Sequence, residues 1–210
     1  FIIRPAGDDV ALEWMTQQFI ILIAKELNID PKEDAQYILN NIHEKVPVSG
    51  LNSFRLKIIQ GINTVEGFRE MYFRVAKSYL EILVGNELAM QLRVNLSIQF
   101  PDDTSSLLPV HADTWSGDSP FEVVVWVPLV DCYNTKTMYI LPPISANKLS
   151  EEFVDRSGSN AEDLYKSIKD EVQWLEVNYG EVLIFNQALP HGNRVNEELE
   201  TRWSMNCRFK

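Results

Sequence analysis

A histidine and an aspartate stand two positions apart in the stretch LPVHADTW, residues 108–115. His111 is one of only three histidines in the chain. In an extended strand, residues i and i+2 project to the same side, so His111 and Asp113 would point at one spot. An imidazole and a carboxylate are two of the three groups in the two-histidine, one-carboxylate triad that binds non-haem Fe(II). The pattern predicts a metal site that needs a second histidine.

Two histidines remain as candidates for that third ligand. His43 lies at the polar end of a predicted helix, beside Glu44 and Lys45, and is expected to be an ordinary surface residue. His191 follows GEVLIFNQALP, a glycine turn and an apolar strand that ends at a proline. A strand from the other half of a β-barrel could bring His191 opposite His111. A lone His-x-Asp tripeptide is common, and an ordinary loop remains the alternative for each piece.

Arg202 and Ser204 form a second candidate site, eleven or more residues after His191. They share one face of a predicted strand. Arginine holds a carboxylate through two parallel hydrogen bonds, and a serine hydroxyl can share one of its oxygens. On a buried face such an arginine needs an anionic partner. On a solvent-facing edge strand it would be a plain surface residue.

The elements that must position these residues change type along the chain. Residues 1–87 are predicted to be helical, with amphipathic segments DDVALEWMTQQFIILIAKELNI, DPKEDAQYILNNIHEK and VEGFREMYFRVAKSYLEILVGNE. The second helix is predicted to begin with Asp30 as its cap and Pro31 at its first position. The third is predicted to stop near Gly85.

From residue 88 to 210 the apolar pattern becomes that of strands. QLRVNLSIQF and TRWSMNCRFK alternate with period two, and FEVVVWVPLVD, TKTMYILPP and LEVNYGEVLIFN indicate further strands. NAEDLYKSIKDEVQW is predicted to be a helical insert. Helices followed by strands favour a helical layer packed on an antiparallel sandwich or barrel. Because no linker interrupts the pattern, residues 1–210 are expected to form one domain.

Composition limits the partners. The chain has 210 residues, is 45% hydrophobic and carries a formal charge of −11. An acidic chain gains nothing from phosphate backbones, so neither nucleic acid nor a membrane is an expected partner. No apolar run reaches the roughly 20 residues of a membrane span. Two cysteines do not make a disulfide scaffold and favour a cytoplasmic location. Because the chain begins with Phe1, the native start and a removed signal peptide stay open.

Three blocks together resemble Fe(II)/2-oxoglutarate-dependent oxygenases, and most of all their phytanoyl-CoA dioxygenase-like branch. The proximal block is LPVHADTW, and the middle block is VVVWVPLVDCYNTKTMYILPP. The distal block, GEVLIFNQALPHGNRVNEELETRWSMN, has the glycine-acid turn, apolar strand, histidine, asparagine and arginine of that branch. The resemblance covers roughly residues 90–210.

The resemblance implies an α+β fold whose core is a double-stranded β-helix (jelly-roll, cupin-like), with the N-terminal helices packed on one sheet. It implies an oxygenase that uses Fe(II), 2-oxoglutarate and O₂. Because the carboxylate at Asp113 is present, hydroxylation or a related oxidation is expected rather than halogenation. The implied roles are metal binding by His111, Asp113 and His191, a carboxylate anchor at Arg202 and Ser204, and cofactor contacts by Trp126 and Asn95.

The sequence departs from this branch in the region that shapes substrate entry. NTKT replaces a glycine turn of the branch, and LPPIS lacks its usual Pro-Gly-Ser-His turn, so a CoA thioester is not carried over. A looser similarity to small bacterial oxygenases of surface-polysaccharide and aminoglycoside-type gene clusters implies a carbohydrate-derived metabolite. Trp115 could stack on a sugar. The alternatives are a cosubstrate-independent cupin-like metal enzyme, which usually carries His-x-His and a following Glu, and a non-catalytic sugar-binding protein. Nothing in the sequence predicts an oligomeric state.

Overall fold

The computed structural model describes every residue, Phe1–Lys210. It contains eight α-helices and eight β-strands. The helices are α1 (Asp9–Leu27), α2 (Ala35–Asn40), α3 (Val48–Ile62), α4 (Phe68–Arg74), α5 (Lys77–Leu83), α6 (Pro143–Glu151), α7 (Phe153–Arg156) and α8 (Ala161–Ile168). The strands are β1 (Ile2–Pro5), β2 (Asn95–Gln99), β3 (Val123–Pro128), β4 (Tyr139–Ile140), β5 (Gln173–Trp174), β6 (Glu181–Asn186), β7 (His191–Gly192) and β8 (Arg202–Phe209). None of the helices has both the length and the apolar character needed to span a membrane.

The first two helices begin where an aspartate caps them. The Asp8 carboxylate accepts a hydrogen bond from the Ala11 amide at the start of α1, which ends at Asn28 in the left-handed conformation. Helix α2 is capped by Asp34, and the predicted start at Asp30 and Pro31 is wrong. The Asp30 carboxylate instead accepts from the Lys32 amide at 2.9 Å, which folds that segment into a turn.

The N-terminal part is less uniformly helical than its pattern predicts. Strand β1 precedes α1 and pairs with β6, so the sheet begins at the chain's first residues. The third predicted helix is broken at Val75 and Ala76 into α4 and α5. The Val75 carbonyl, which a continuous helix would use, accepts instead from the Gly7 amide at 2.7 Å. This bond ties the chain before α1 to the break between α4 and α5.

The main sheet is antiparallel and has the strand order β1-β6-β3-β8-β2. Its helix-facing side includes the apolar residues of β8, beginning with Trp203. The indole of Trp203 packs edge-on against Phe19 of α1 and Phe54 of α3, and its N–H donates to the Leu39 carbonyl at 2.9 Å. The predicted alternation of β8 is confirmed by its two faces: the apolar core contains Trp203, Met205, Cys207 and Phe209, whereas a cavity on the other side is lined by Arg202, Ser204, Asn206 and Arg208. The fold is therefore mixed, with helices packed on an antiparallel sheet.

A second, smaller sheet has the order β5-β4-β7. Its central strand, β4, covers only Tyr139–Ile140, a small part of the strand predicted in TKTMYILPP. An isolated antiparallel bridge between His111 and His191 extends this sheet at β7. Helices α6, α7 and α8 follow β4, so residues 143–168 are largely helical where the sequence indicated a helix only in the second half.

Candidate metal centre and its cavity

The structure brings His111, Asp113 and His191 together. One ligand atom from each lies within 4.8 Å of the others, and Nε2 of His111 is 3.6 Å from Oδ1 of Asp113. The two imidazole rings have centroids 4.3 Å apart. Two imidazoles and one carboxylate at this spacing could hold a divalent transition metal and leave part of its coordination sphere open.

The backbone fixes both imidazoles in the same way. Nδ1 of His111 lies 2.8 Å from the carbonyl oxygen of Pro109, and Nδ1 of His191 lies 2.9 Å from that of Leu189. A carbonyl oxygen only accepts, so each Nδ1 carries a proton, and it is Nε2 of the neutral ring that would offer a lone pair to a metal. Hydrogen bonds of this kind orient histidine ligands in metal sites.

Chain geometry at the triad differs in part from the expected strand end. His111 is bridged to His191 by two backbone hydrogen bonds of 2.8 and 2.9 Å, as a strand residue would be. Asp113, however, begins a 3₁₀ turn, Asp113–Ser116, rather than continuing a strand. Its amide donates to the Gln187 carbonyl at 3.0 Å, which holds the turn against the end of β6. The two side chains therefore meet through a turn and not through period-two alternation.

Electrostatics favour the metal-binding form of His191. Burial, together with the nearby His111, lowers the pKa of His191 to about 4. The imidazole is therefore neutral near neutral pH, and neutral imidazole is the form that ligates metals. Next to it, Gly192 is required by space, because a Cβ there would lie 2.6 Å from the Tyr139 hydroxyl and 2.8 Å from the Leu108 carbonyl oxygen.

The triad opens into a cavity of about 390 Å³ between the two sheets. Arg202 and Ser204 line this cavity and are almost completely buried, at 2% and 1% exposure. Arg202 donates to the Thr137 carbonyl at 2.8 Å and to the Ser97 hydroxyl at 2.9 Å. Its Nε and the Ser204 hydroxyl have no hydrogen-bond partner in the protein. Buried polar atoms rarely lack partners, so these two are suited to receive a ligand.

The charge of Arg202 survives its burial. Burial lowers the pKa of Arg202 to about 10, which leaves the guanidinium protonated at neutral pH. An unpaired buried cation is costly, and an anionic ligand would relieve that cost. The arrangement could therefore bind a carboxylate at one end of the cavity and a metal at the other.

The remaining predicted site residues also line this cavity. Trp126 on β3 is 5% exposed and pairs with Asn206 of β8 across the sheet. Asn95 on β2 donates through its side chain to the Asn206 side chain at 2.9 Å. This bond uses one of the two N–H groups of Asn95, so the other stays available to a ligand.

His43 is not the plain surface residue that the sequence predicted. Its Nδ1 lies 2.9 Å from the Thr201 hydroxyl, and its ring packs edge-on against Phe100 at 6.3 Å. The reason is that the short 3₁₀ turn Ile42–Glu44 lies against the residue just before β8 and the residue just after β2. His43 thus has a packing role and is separate from the triad.

Sequence reasoning missed two cationic residues of the cavity. Arg208 lies on the same face of β8 as Arg202, and its Nη2 is 3.0 Å from Oδ2 of Asp113. The period-two pattern could have found it. Arg55 of α3 donates to the Ser106 hydroxyl at 2.7 Å and also lines the cavity. No local signal marked Arg55, because α3 lies in the region predicted to be helical but was not identified as a separate amphipathic segment.

Comparisons with known proteins found likeness in structure only. No family model matches the chain, and no curated protein matches it in sequence. Among solved structures, a nickel complex of the non-haem monooxygenase ThoJ is 15% identical with a TM-score of 0.59, covering 100% of this chain and 72% of that one. HygX from Streptomyces hygroscopicus, with nickel and 2-oxoglutarate bound, is 15% identical with a TM-score of 0.55. That match covers 99% of this chain and 81% of HygX.

A third similar structure is SnoK, described as a non-haem α-ketoglutarate-dependent carbocyclase from nogalamycin biosynthesis. It is 16% identical with a TM-score of 0.53, covering 71% of this chain and 61% of SnoK. At such identities the likeness establishes a common fold. The chain therefore has the fold found in several non-haem oxygenases, with a His-Asp-His cluster inside it.

Proposed function

We propose that this protein is a non-haem Fe(II)/2-oxoglutarate-dependent oxygenase that hydroxylates a small, polar, carbohydrate-derived metabolite. The observation that carries the proposal is the pairing of two unsatisfied donors with the triad in one cavity. The Arg202 Nε and the Ser204 hydroxyl are buried and unpartnered, and the same cavity contains His111, Asp113 and His191. A bidentate cosubstrate with a distal carboxylate suits both ends of this arrangement.

The donor set fits Fe(II) and 2-oxoglutarate. His111, Asp113 and His191 would hold the metal, and Arg202 with Ser204 would hold the distal carboxylate of 2-oxoglutarate. The bound iron and cosubstrate supply the oxidising chemistry when O₂ is present. The protein's own contribution is to orient the two imidazoles, neutralise the carboxylate and limit bulk water in a cavity whose apolar lining includes Trp126 and Phe185. The structures of HygX with nickel and 2-oxoglutarate, and with iron, support this choice.

The proposal also includes the arrangement of the two sheets, the number of domains and the location of the protein in the cell. We take the two sheets as the halves of a double-stranded β-helix, and the whole chain as one domain of the phytanoyl-CoA dioxygenase-like type. Two buried free thiols, Cys132 and Cys207, support a reducing, cytoplasmic location.

A carbohydrate-derived substrate is supported by the surroundings of the triad. Trp115, two residues after Asp113 in the chain, is 45% exposed and stands edge-on to Phe153 at 5.1 Å in a neighbouring groove, outside the lining of the triad's cavity. It offers an open aromatic face for a sugar ring. Ser105, Ser106 and Asn193 line the cavity and can hydrogen-bond to hydroxyl groups.

The first experiment adds Fe(II) and 2-oxoglutarate to the protein without oxygen and records the visible metal-to-ligand charge-transfer band. We expect a band in the wild type, none in His111→Ala, and a weaker band at equal cosubstrate concentration in Arg202→Ala. His43→Ala is the matched histidine control and should retain the band. If the wild type binds neither iron nor 2-oxoglutarate, the oxygenase proposal is wrong and a non-catalytic binding protein replaces it.

Substrate class requires a second measurement. Succinate formation is followed under air with a panel of amino sugars, sugar nucleotides and, for comparison, apolar carboxylic acids. A stimulation by the sugars alone is the expected result. Stimulation by the apolar acids alone would overturn the substrate class and leave the cofactor assignment intact.

A further inference from the structure

Arg208 contacts the proposed metal ligand Asp113 directly. Its Nη2 and Nε lie 3.0 and 3.3 Å from Oδ2 of Asp113, and Nη2 is also 3.5 Å from Oδ2 of Asp118. Arg208 belongs to β8, where it is paired with Val124 of the central strand β3. Its guanidinium therefore comes from a strand inside the main sheet, while Asp113 comes from a 3₁₀ turn.

The two oxygens of Asp113 are divided between two neighbours. Oδ1 lies 3.6 Å from Nε2 of His111, on the side of the metal-ligating atoms. Oδ2 is turned to Arg208: it accepts a hydrogen bond from Nε and forms an ion pair with Nη2. Asp113 is 9% exposed, so little water competes for either oxygen. The carboxylate is thus held with one oxygen offered to the metal and the other occupied.

This division matters because a facial triad works through its open positions. A carboxylate that bound the iron through both oxygens would take a position that 2-oxoglutarate or O₂ needs. A cation beside the ligand also weakens the attraction of that ligand for a divalent metal. Strengthening metal binding therefore does not explain Arg208, whereas keeping a position free does.

We propose, as an extension of the oxygenase function above, that Arg208 is a positioning residue that keeps Asp113 bound to the iron through a single oxygen. Its role is exerted on the cosubstrate and not on the metal. Removing Arg208 should leave metal affinity unchanged or higher and should lower the affinity for 2-oxoglutarate. A residue that merely supported the fold would lower both.

The test measures the two affinities separately in the 210-residue chain. Fe(II) affinity is obtained by competition with a chromophoric chelator, and 2-oxoglutarate affinity by anaerobic titration of the charge-transfer band. In Arg208→Met we expect Fe(II) to bind at least as tightly as in the wild type. The dissociation constant for 2-oxoglutarate should rise about tenfold, the lower end of what outer hydrogen bonds to metal ligands contribute.

Two further variants complete the design. Arg208→Lys keeps the charge and one donor for Oδ2, so it should recover part of the 2-oxoglutarate affinity. Lys210→Met is the matched control. Lys210 lies two residues after Arg208, forms an ion pair with Glu122 at 3.4 Å and contacts no member of the triad. It should match the wild type in both affinities.

Three other results would overturn the inference about Arg208. Unchanged 2-oxoglutarate affinity in Arg208→Met overturns the inference while the oxygenase function stands. A joint loss of iron and 2-oxoglutarate binding also overturns it, since Arg208 would then support the site in general. A wild type that binds no Fe(II) removes both the inference and the function on which it rests.

Discussion

At the scale of single residues, the cavity is built from donors that the protein leaves unsatisfied and from ligands that it fixes in advance. Carbonyl oxygens hold Nδ1 of both triad histidines, and Arg208 holds one oxygen of Asp113. At the other end, Ser97 and Thr137 fix two nitrogens of Arg202 and leave Nε free. Preorganisation of this kind lowers the cost of ordering side chains when a ligand binds.

Ser204 offers a test of this division, because its hydroxyl has no partner until a ligand arrives. We expect Ser204→Ala to keep or slightly raise the melting temperature of the ligand-free protein, since a buried unpaired hydroxyl is removed. Its affinity for 2-oxoglutarate should fall roughly 10- to 100-fold, the value of a hydrogen bond to a charged group. Thermal unfolding and the anaerobic titration measure the two effects.

Ser97→Ala is the contrasting variant. The Ser97 hydroxyl accepts from Arg202 at 2.9 Å, so its loss leaves a buried guanidinium nitrogen unpaired. This variant should be less stable by about 1–3 kcal/mol. If Ser204→Ala lost stability to the same extent, the hydroxyl would have a partner within the protein and the cosubstrate role would fail.

The sequence carried enough information to identify most of this site. The sequence predicted the meeting of His111 and Asp113, although through strand alternation rather than the observed turn. The alternation of β8 correctly predicted that Arg202 and Ser204 share a face. The ion pair between Arg208 and Asp113 could not be predicted, because it depends on the 3₁₀ turn at Asp113. That turn is held by a backbone bond to a distant residue, and tertiary bonds leave no local signature.

At the scale of elements, too, the features with a local sequence pattern were predicted, and those set by distant contacts were not. Period-two patterns predicted β8 and the cavity-facing residues of β2. Helix α3 lies in the region predicted to be helical but was not identified as a separate segment, although its buried apolar residues have helical spacing: Leu51, Phe54, Ile58 and Ile62. Two glycines and several β-branched residues lower its helix propensity, and burial of the apolar face against the sheet compensates. The break between α4 and α5 has no local breaker at all, because the Gly7 amide determines it from outside.

Lys136 joins elements that lie far apart in the sequence. Its side chain is completely buried, with Nζ 2.7 Å from the Asn40 side-chain oxygen at the end of α2 and 2.6 Å from Glu200, just before β8. Glu200→Ala would leave the ammonium group buried without its carboxylate. We expect a loss of about 2–3 kcal/mol, somewhat below the usual cost for a fully buried pair because Glu200 is 40% exposed.

Lys136→Met is the informative partner variant in that experiment. It removes the buried charge and keeps the length of the side chain, and the Glu200 left behind can be hydrated. The loss in free energy of unfolding should therefore stay under about 1 kcal/mol. Urea titrations measure the free energy of unfolding of both variants. A larger loss in Lys136→Met than in Glu200→Ala would contradict the prediction.

At the scale of the whole molecule, helices and sheet share one core. A cluster of 42 buried apolar residues includes members of α1–α5 and of both sheets. Trp203 lies at the centre of the contact, between Phe19, Phe54 and the Leu39 carbonyl. If the helices unfolded while the sheet stayed folded, the apolar surface buried between them would be exposed to water. The helices of residues 1–87 are therefore not expected to unfold before the sheet.

This arrangement predicts a single cooperative transition. In urea, the far-ultraviolet circular dichroism reports mainly on the helices. Tryptophan fluorescence reports on five tryptophans, of which Trp14 lies in α1 and the other four, including Trp126 and Trp203 of the main sheet, lie in residues 88–210. We expect the two signals to give the same midpoint and the same slope. Trp203→Phe, which removes the hydrogen bond to Leu39 but keeps an aromatic ring, should shift both midpoints together to lower urea. Separate midpoints in the wild type, or a shift of one signal alone in the variant, would show two independently folding units and refute the single-domain proposal.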